Sequence, residues 1–221
     1  MLKYTLLSKA GDQFNHPKSG KPIKLYRVIS EMDFQTIDGV WVKVGEVGGY
    51  VSQEVVDNKG FSQTDRSWIF NTAKVFDNAM LVDSTIRGNA KIFGSAILTE
   101  SVVSDHAHVY GNALVTRTRM GGKSDVFGDS VELEDCDLTN AAMVCHNAKA
   151  KHTKLKDGAR ISGSARVTNC VLTDTAEVRG TANIVNCHVG GRAVLNYGEY
   201  DNSTIHMDLE LTIQSNEASE N

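Results

Sequence analysis

The chain is poor in the residues that break or staple a fold. Only Pro17 and Pro22 are prolines among its 221 residues, so no proline interrupts strand pairing after residue 22. Cys136, Cys145, Cys170 and Cys187 are its four cysteines, and none sits in a C-x-x-C spacing. That spacing argues against a zinc site and predicts a reducing, cytoplasmic setting. No apolar run approaches the roughly 18 residues that a membrane span needs. The opening stretch MLKYTLLSKAGDQ lacks the apolar core and cleavage site of a signal peptide. Charge of one sign is missing too: 23 basic residues face 27 acidic ones, for a net charge of −4. Such a balance gives no global field to gather nucleic acid or an anionic membrane. The length suits one domain with a small cap and a real core.

What is present is a repeat. Ala73, Ala90 and Ala107 stand 17 residues apart, and Ser124 continues the series. A second column, Ala79, Ala96, Ala113 and Ser130, keeps the same step. One extra residue intervenes near Val131–Glu132, after which both columns resume. They run on as Ala142, Ala159, Ala176 and Ala193, and as Ala148, Ala165 and Ala182. A fixed period of this length is the mark of a repeat architecture.

Each period divides as 6 + 6 + 5, and every segment opens on an aliphatic residue, as in IRGNAK-IFGSAI-LTESV. Apolar residues at i and i+4 of a six-residue unit match neither a helix nor simple alternation. They fit short strands whose i and i+4 side chains point inward and whose i+1 and i+5 side chains point outward. Positions i+2 and i+3, often Gly-Asn, Gly-Ser or Asp-Asn, then turn a corner, because these residues tolerate positive φ. Three segments close a triangular coil, and coils stack at about 4.8 Å, the spacing between paired strands. Each coil buries about three aliphatic side chains, at roughly 1.5–3 kcal/mol apiece.

End coils lack a neighbour and need caps. Residues 1–60 are non-repetitive, with strand-like runs KPIKLYRVIS and GVWVKVGEVGGYV, and are expected to cap the first coil. The helix proper is expected over 61–199. Within 200–221, STIHMDLELTI (203–213) reads as one strand, and SNEASEN as a disordered acidic tail.

The hexads resemble the hexapeptide-repeat, left-handed β-helix superfamily. The segments LYRVISEMDF, GGYV and SWIF-x-x-A-x-V more narrowly resemble the YdcK-like proteins. Between them the resemblances span nearly the whole chain. The expected fold is therefore all-β: a single-stranded left-handed parallel β-helix of about seven to eight 17-residue coils, with a small N-terminal β cap. Its handedness comes from the resemblance, which also implies a homotrimer with parallel axes. Many members of the superfamily are acyltransferases that use coenzyme A, with a histidine at the subunit boundary as general base.

Read in this register, the outward columns carry several candidates. Phe76, Phe93, Tyr110 and Phe127 stack on four successive coils, and Met80, Ile97, Leu114 and Val131 run across the adjoining corner. Such an apolar stripe is expected to be covered, either by other subunits or by the chain's own N-terminal segment. Lys149, Lys151, His152, Lys154, Lys156, Arg160 and Arg166 form a basic belt within about one coil. It suits the phosphates of a nucleotide or coenzyme A, or else a solvated surface. The third face, with Arg87, Ser104, Arg119, Asp137, Lys154, Lys156 and Thr173, is polar and is expected to meet water. Cys136, Cys170 and Cys187 fall in a small-residue column with Ser84, Ser101, Thr118 and Thr153, and read as small buried side chains.

For acid–base chemistry, His108 is the leading position, one coil from Asp125, which could orient its ring. His146 is second. A Cys145–His146 nucleophile pair is weaker, because adjacent residues on this backbone are expected to diverge. MGGKS (120–124) fails as a phosphate loop, since Arg117 stands where the motif requires glycine. The unbroken step between residues 69 and 195 leaves no long substrate-covering loop. The expectation is thus a non-catalytic trimeric scaffold that binds a protein partner or an anionic, nucleotide-like molecule. The alternative is an acyltransferase using coenzyme A or acetyl-CoA. No metal, membrane or nucleic-acid partner is expected.

Overall fold

Inward-pointing aliphatic residues at every sixth or fifth position wind the chain into a parallel β-solenoid of about eight turns. The structure is a computed structural model and describes residues 2–7, 12–207 and 212–213. Each turn lays one short strand on each of three faces. Face 1 runs from Trp68–Ile69 to Thr204–Met207 in nine strands, and face 3 from Met80–Val82 to Glu199–Asp201 in eight. Face 2 begins at Lys74–Val75 and belongs to a 13-stranded sheet that includes strands of the cap. Register advances by one repeat per strand: Ile92 pairs with Val109, Val109 with Val126, and Val126 with Val144. All 23 aliphatic positions expected to lead a segment, from Ile69 to Leu195, are buried, as are the alanine columns between them.

Corners are closed by side chains that pair one coil with the next. Asp77, Asp105 and Asp174 adopt left-handed φ of 59–60°. Their carboxylates accept the backbone N–H of Gly94, Gly122 and Gly191 at 2.9, 2.8 and 2.8 Å. At another corner the hydroxyl and thiol column is an interior relay. Each of Ser84, Ser101 and Thr118 donates to a carbonyl two residues back and accepts an N–H from the coil below. Cys136, Cys170 and Cys187 occupy equivalent places. All four thiols are free and buried. Burial pushes those of Cys136 and Cys170 up to about 11, so they act as packing atoms rather than nucleophiles.

The irregular coil lies slightly earlier than the spacing predicts. Gly111 pairs with Gly128, but the N–H of Leu114 bonds to Val131 rather than to Ser130. The extra residue is therefore absorbed in the corner before Val131. As a result Val131 fills the interior alanine column and is fully buried. It does not belong to the outward stripe; Glu132 takes that place, opposite Leu114.

Strands β1 (Tyr4–Leu6), β2 (Asp12–Asn15), β3 (Pro22–Ser30) and β6 (Val47–Ser52) form an antiparallel extension of face 2. Within it, β6 pairs in parallel with the first coil, Val51 against Val75. Gly48 and Gly49 make this approach possible. A Cβ on Gly48 would stand 2.6 Å from the Ile69 carbonyl, and one on Gly49 2.5 Å from Ile69 Cγ2. The hairpin of β4 (Phe34–Gln35) and β5 (Trp41–Val42) covers the top of face 1. There Phe34 meets Trp68 edge-on, and Asp38 bonds Thr85 and Arg87. A short helix, α1 (Gln53–Asp57), follows β6. At the open end, buried Lys3 donates to the carbonyls of Asp65 and Ser67 and to the Asp65 carboxylate, at 3.0–3.1 Å. These bonds satisfy backbone groups that have no coil above them.

The other end corrects one expectation. STIHMDLELTI is not one strand: Thr204–Met207 continues face 1, and Thr212–Ile213 pairs on face 2 with Val194–Leu195. The solenoid therefore runs past residue 199. The acidic tail expected over SNEASEN lies outside the described residues.

Candidate functional site

Alternation on face 2 sends two columns outward. One holds Lys74, Lys91, His108, Asp125, Met143 and Arg160; the other holds Phe76, Phe93, Tyr110, Phe127 and Cys145. The aromatic rings stack nearly parallel, with centroids 5.0, 4.8 and 4.8 Å apart. The cap covers the upper half of this ladder, as one of the two expected outcomes had it. Phe14 packs edge-on against Phe76, and His16 against both Phe76 and Phe93. Leu25 completes the buried cluster. Phe76 and Phe93 are thus consumed within the chain and present no surface to another subunit. Tyr110 and Phe127 emerge below, half-buried, with the Lys18 ammonium 5.3 Å from the Tyr110 ring centre.

The two candidate histidines flank these two rings. His108 Nδ1 lies 3.1 Å from Asp125 Oδ1, and each side chain is about a third exposed. This is the orientation by a carboxylate one coil away that the sequence leads one to expect. His146 corrects another expectation. Its ring does not diverge from the adjacent thiol: Cys145 Sγ and His146 Nδ1 are 3.1 Å apart. The cause is the left-handed φ of 68° at His146, in a corner column that Asp77 opens and that Gly94, Gly111, Gly128, Gly163 and Gly180 also occupy. Burial nevertheless pushes the Cys145 thiol upward, which keeps it protonated and a poor nucleophile.

The basic belt does not exist as one surface. A six-residue period distributes neighbours in sequence over all three faces. Lys149, Lys151 and Arg166 lie on face 3, Lys154 on face 1 and Arg160 on face 2. His152 turns the corner after Lys151, and Lys156 follows Lys154 on face 1. Several of these cations are already paired. Lys149 binds Glu132 and Lys151 binds Glu134, each at 2.7 Å, while His152 is 3.5 Å from Asp135. Arg117 clamps Glu134 and Asp135; it holds the Asp135 carboxylate below its ordinary range, and at Glu134 the Lys151 ammonium, with Arg117 second, does the same.

Face 3 carries an apolar surface that stays bare. Met80, Val82, Ile97 and Leu114 are 37–41% exposed on three successive coils, at the level where the cap covers the other two faces. Val82 was not singled out from the sequence, although its position, last in a segment's strand, is an outward one. Among the described residues no group of three or more His, Cys, Asp and Glu side chains is placed to hold a metal ion. None of their helices is long and apolar enough to cross a membrane.

Compared with known proteins, the chain matches no family model and no curated sequence.

Proposed function

We propose that this chain is a non-catalytic binding scaffold that assembles as a trimer through face 3. The observation that carries this reading is the bare patch of Met80, Val82, Ile97 and Leu114 beside an internally neutralised charge ladder. Soluble chains rarely leave contiguous apolar surface uncovered. Second and third copies are the natural occupants, because rotational symmetry closes the contact without an open filament. Pairing of Glu132 with Lys149 and of Glu134 with Lys151 leaves little net charge on that face to oppose like faces. Sedimentation equilibrium is expected to give three chains per particle. Combining Ile97→Glu with Leu114→Glu is expected to give monomers whose circular dichroism is unchanged. A wild-type protein that sediments as a monomer sinks the assembly.

A second reading, an acyl-CoA-dependent acyltransferase, draws on the His108–Asp125 pair. A histidine oriented by a carboxylate can accept a proton from an attacking hydroxyl or amine. Thiol release from acetyl-CoA in the presence of an acceptor amine, reduced about 100-fold or more in His108→Ala, would favour the enzyme over the scaffold. No release above buffer with a panel of amine and hydroxyl acceptors would favour the scaffold.

A further inference from the structure

Face 1 carries one local pattern twice, four coils apart. Ser104 and Asp105 stand one coil above Gly121 and Gly122, and Thr173 and Asp174 stand one coil above Gly190 and Gly191. In both copies the aspartate Oδ2 accepts the N–H of the second glycine at 2.8 Å. It also accepts the neighbouring hydroxyl, at 3.2 Å from Ser104 and 3.0 Å from Thr173. Gly122 and Gly191 have left-handed φ of 68° and 65°, whereas Gly121 and Gly190 do not. Nor does the corner bond itself require glycine at these two positions. Where Asp77 accepts the N–H of Gly94, the residue before that glycine is Phe93. Bare backbone at Gly121 and Gly190 therefore leaves a notch, rimmed by a carboxylate and a hydroxyl.

The lower notch is filled by the chain itself. The ring of His206, one coil below, lies over both glycines. A Cβ on Gly190 would stand 3.0 Å from His206 Cδ2, and one on Gly191 3.2 Å from its Cε1. Thr173 Oγ1 and Asp174 Oδ2 are 3.0 and 3.3 Å from that same Gly190 position, so ring, hydroxyl and carboxylate meet at one point. The Asp174 carboxyl is held below its ordinary range by the Gly191 N–H and the Thr173 hydroxyl, and then by the imidazoles of His206 and His188. The upper notch has the same rim and no ring. Asp105 Oδ2 and Ser104 Oγ are 3.0 and 3.3 Å from the position of a Gly121 Cβ, and nothing from the coil below comes within 4 Å of it. Thr139 takes the place that His206 holds in the lower copy, and the notch opens into a groove of about 490 Å³.

We propose that the notch over Gly121 binds the imidazole ring of a small molecule, as the notch over Gly190 holds the ring of His206. A ring N–H beside Asp105 donates to its carboxylate, and the bond strengthens when the ring is an imidazolium. Arg119 lines the same groove and makes no ion pair among the described residues, although Asp137 is its register partner. Its planar guanidinium suits a carboxylate on the ring's side chain. The expected ligand is thus an imidazole that carries a carboxylate. The proposal rests neither on trimer formation through face 3 nor on the His108–Asp125 pair.

The test uses the full chain and imidazole-4-acetate as probe, by isothermal titration calorimetry. Saturable one-to-one binding is expected, with a Kd of about 1 mM. Thr139→His rebuilds in the upper copy the arrangement of Gly190 and His206, and is expected to abolish binding by supplying the ring from the chain. Thr139 is exposed, so this substitution leaves the fold intact. Gly121→Val, which fills the notch, is expected to weaken binding at least about 10-fold with circular dichroism unchanged. Arg119→Gln is expected to weaken imidazole-4-acetate about 5-fold and to leave the binding of imidazole itself unchanged. No saturable heat up to about 10 mM overturns the site. So does undiminished binding by Thr139→His. Acetate that binds as tightly as imidazole-4-acetate, and loses this in Arg119→Gln, marks attraction to the guanidinium alone and overturns the imidazole assignment.

Discussion

The first four coils and the last four share an interior but not an exterior. Inside, Ile92, Val109, Val126, Val144, Ile161, Val178 and Leu195 form one unbroken column. Outside, the upper coils present rings and aliphatic chains, while the lower coils present alternating charges such as Glu132–Lys149 and Glu134–Lys151. The difference follows from the cap. Where β2, β3 and the β4–β5 hairpin lie over the solenoid, outward positions become a second core and must be apolar. Where nothing lies over the lower coils, cross-strand ion pairs make the surface polar, whereas Met80, Val82, Ile97 and Leu114 on face 3 of the upper coils are apolar and bare. A repeat unit thus defines what is inside, while the neighbour defines what is outside.

The sharpest way to break the comparison is to truncate equivalent rings. Phe93→Ala removes a ring packed by His16 and two stacked neighbours, and an expected loss of about 3–5 kcal/mol should appear in denaturant unfolding. Phe127→Ala, in the same column below the cap, should lose less than half as much. Equal losses would mean that the cap contributes nothing to burying the ladder.

A second test addresses the cap itself through pH. Tyr4 donates its hydroxyl to the Phe61 carbonyl at 2.7 Å, and burial, aided by the Asp65 charge, pushes its pKa up to about 12. Between roughly pH 10 and 12 the unfolded chain has lost this proton while the folded chain keeps it. Stability therefore falls as pH rises through that window, by up to about 2–3 kcal/mol. Lys3, whose ammonium burial pushes below its ordinary value of 10.5, works in the opposite sense up to that pH. Tyr4→Phe should flatten the decline above pH 10.5, measured by urea unfolding at a series of pH values. A decline of unchanged slope would refute the assignment to Tyr4.

The smallest expected effect belongs to the lower coils. Lys151→Ala breaks an exposed pair with Glu134, which Arg117 still holds, so the shift in urea midpoint should be the smallest of the three and should vanish in 1 M salt. A shift as large as that of Phe127→Ala would show that the charge ladder is more than a solubilising surface.

The candidate site was legible in its pairs and illegible in its surroundings. His108 and Asp125 stand one repeat apart, so the period alone places them side by side. Cys145 and His146 were misjudged because a left-handed corner at His146 reverses the usual divergence of adjacent side chains, and only φ reveals it. The basic belt failed for a related reason. Proximity in sequence is not proximity in space when every sixth residue turns a corner. Val131 was misplaced by one position, because Ser130 and Val131 are both acceptable beside a corner and the interior selects the apolar one.

The sequence by itself determined the winding of this protein, its three faces and its interior columns. A 17-residue period leaves side chains of that size only one consistent inside. Tertiary structure alone decided which outward residues meet solvent. Coverage by the cap depends on where a non-repeating segment docks, and docking is governed by contacts such as Gly49 against Ile69 and His16 against Phe93. Those contacts carry no period from which they could be counted.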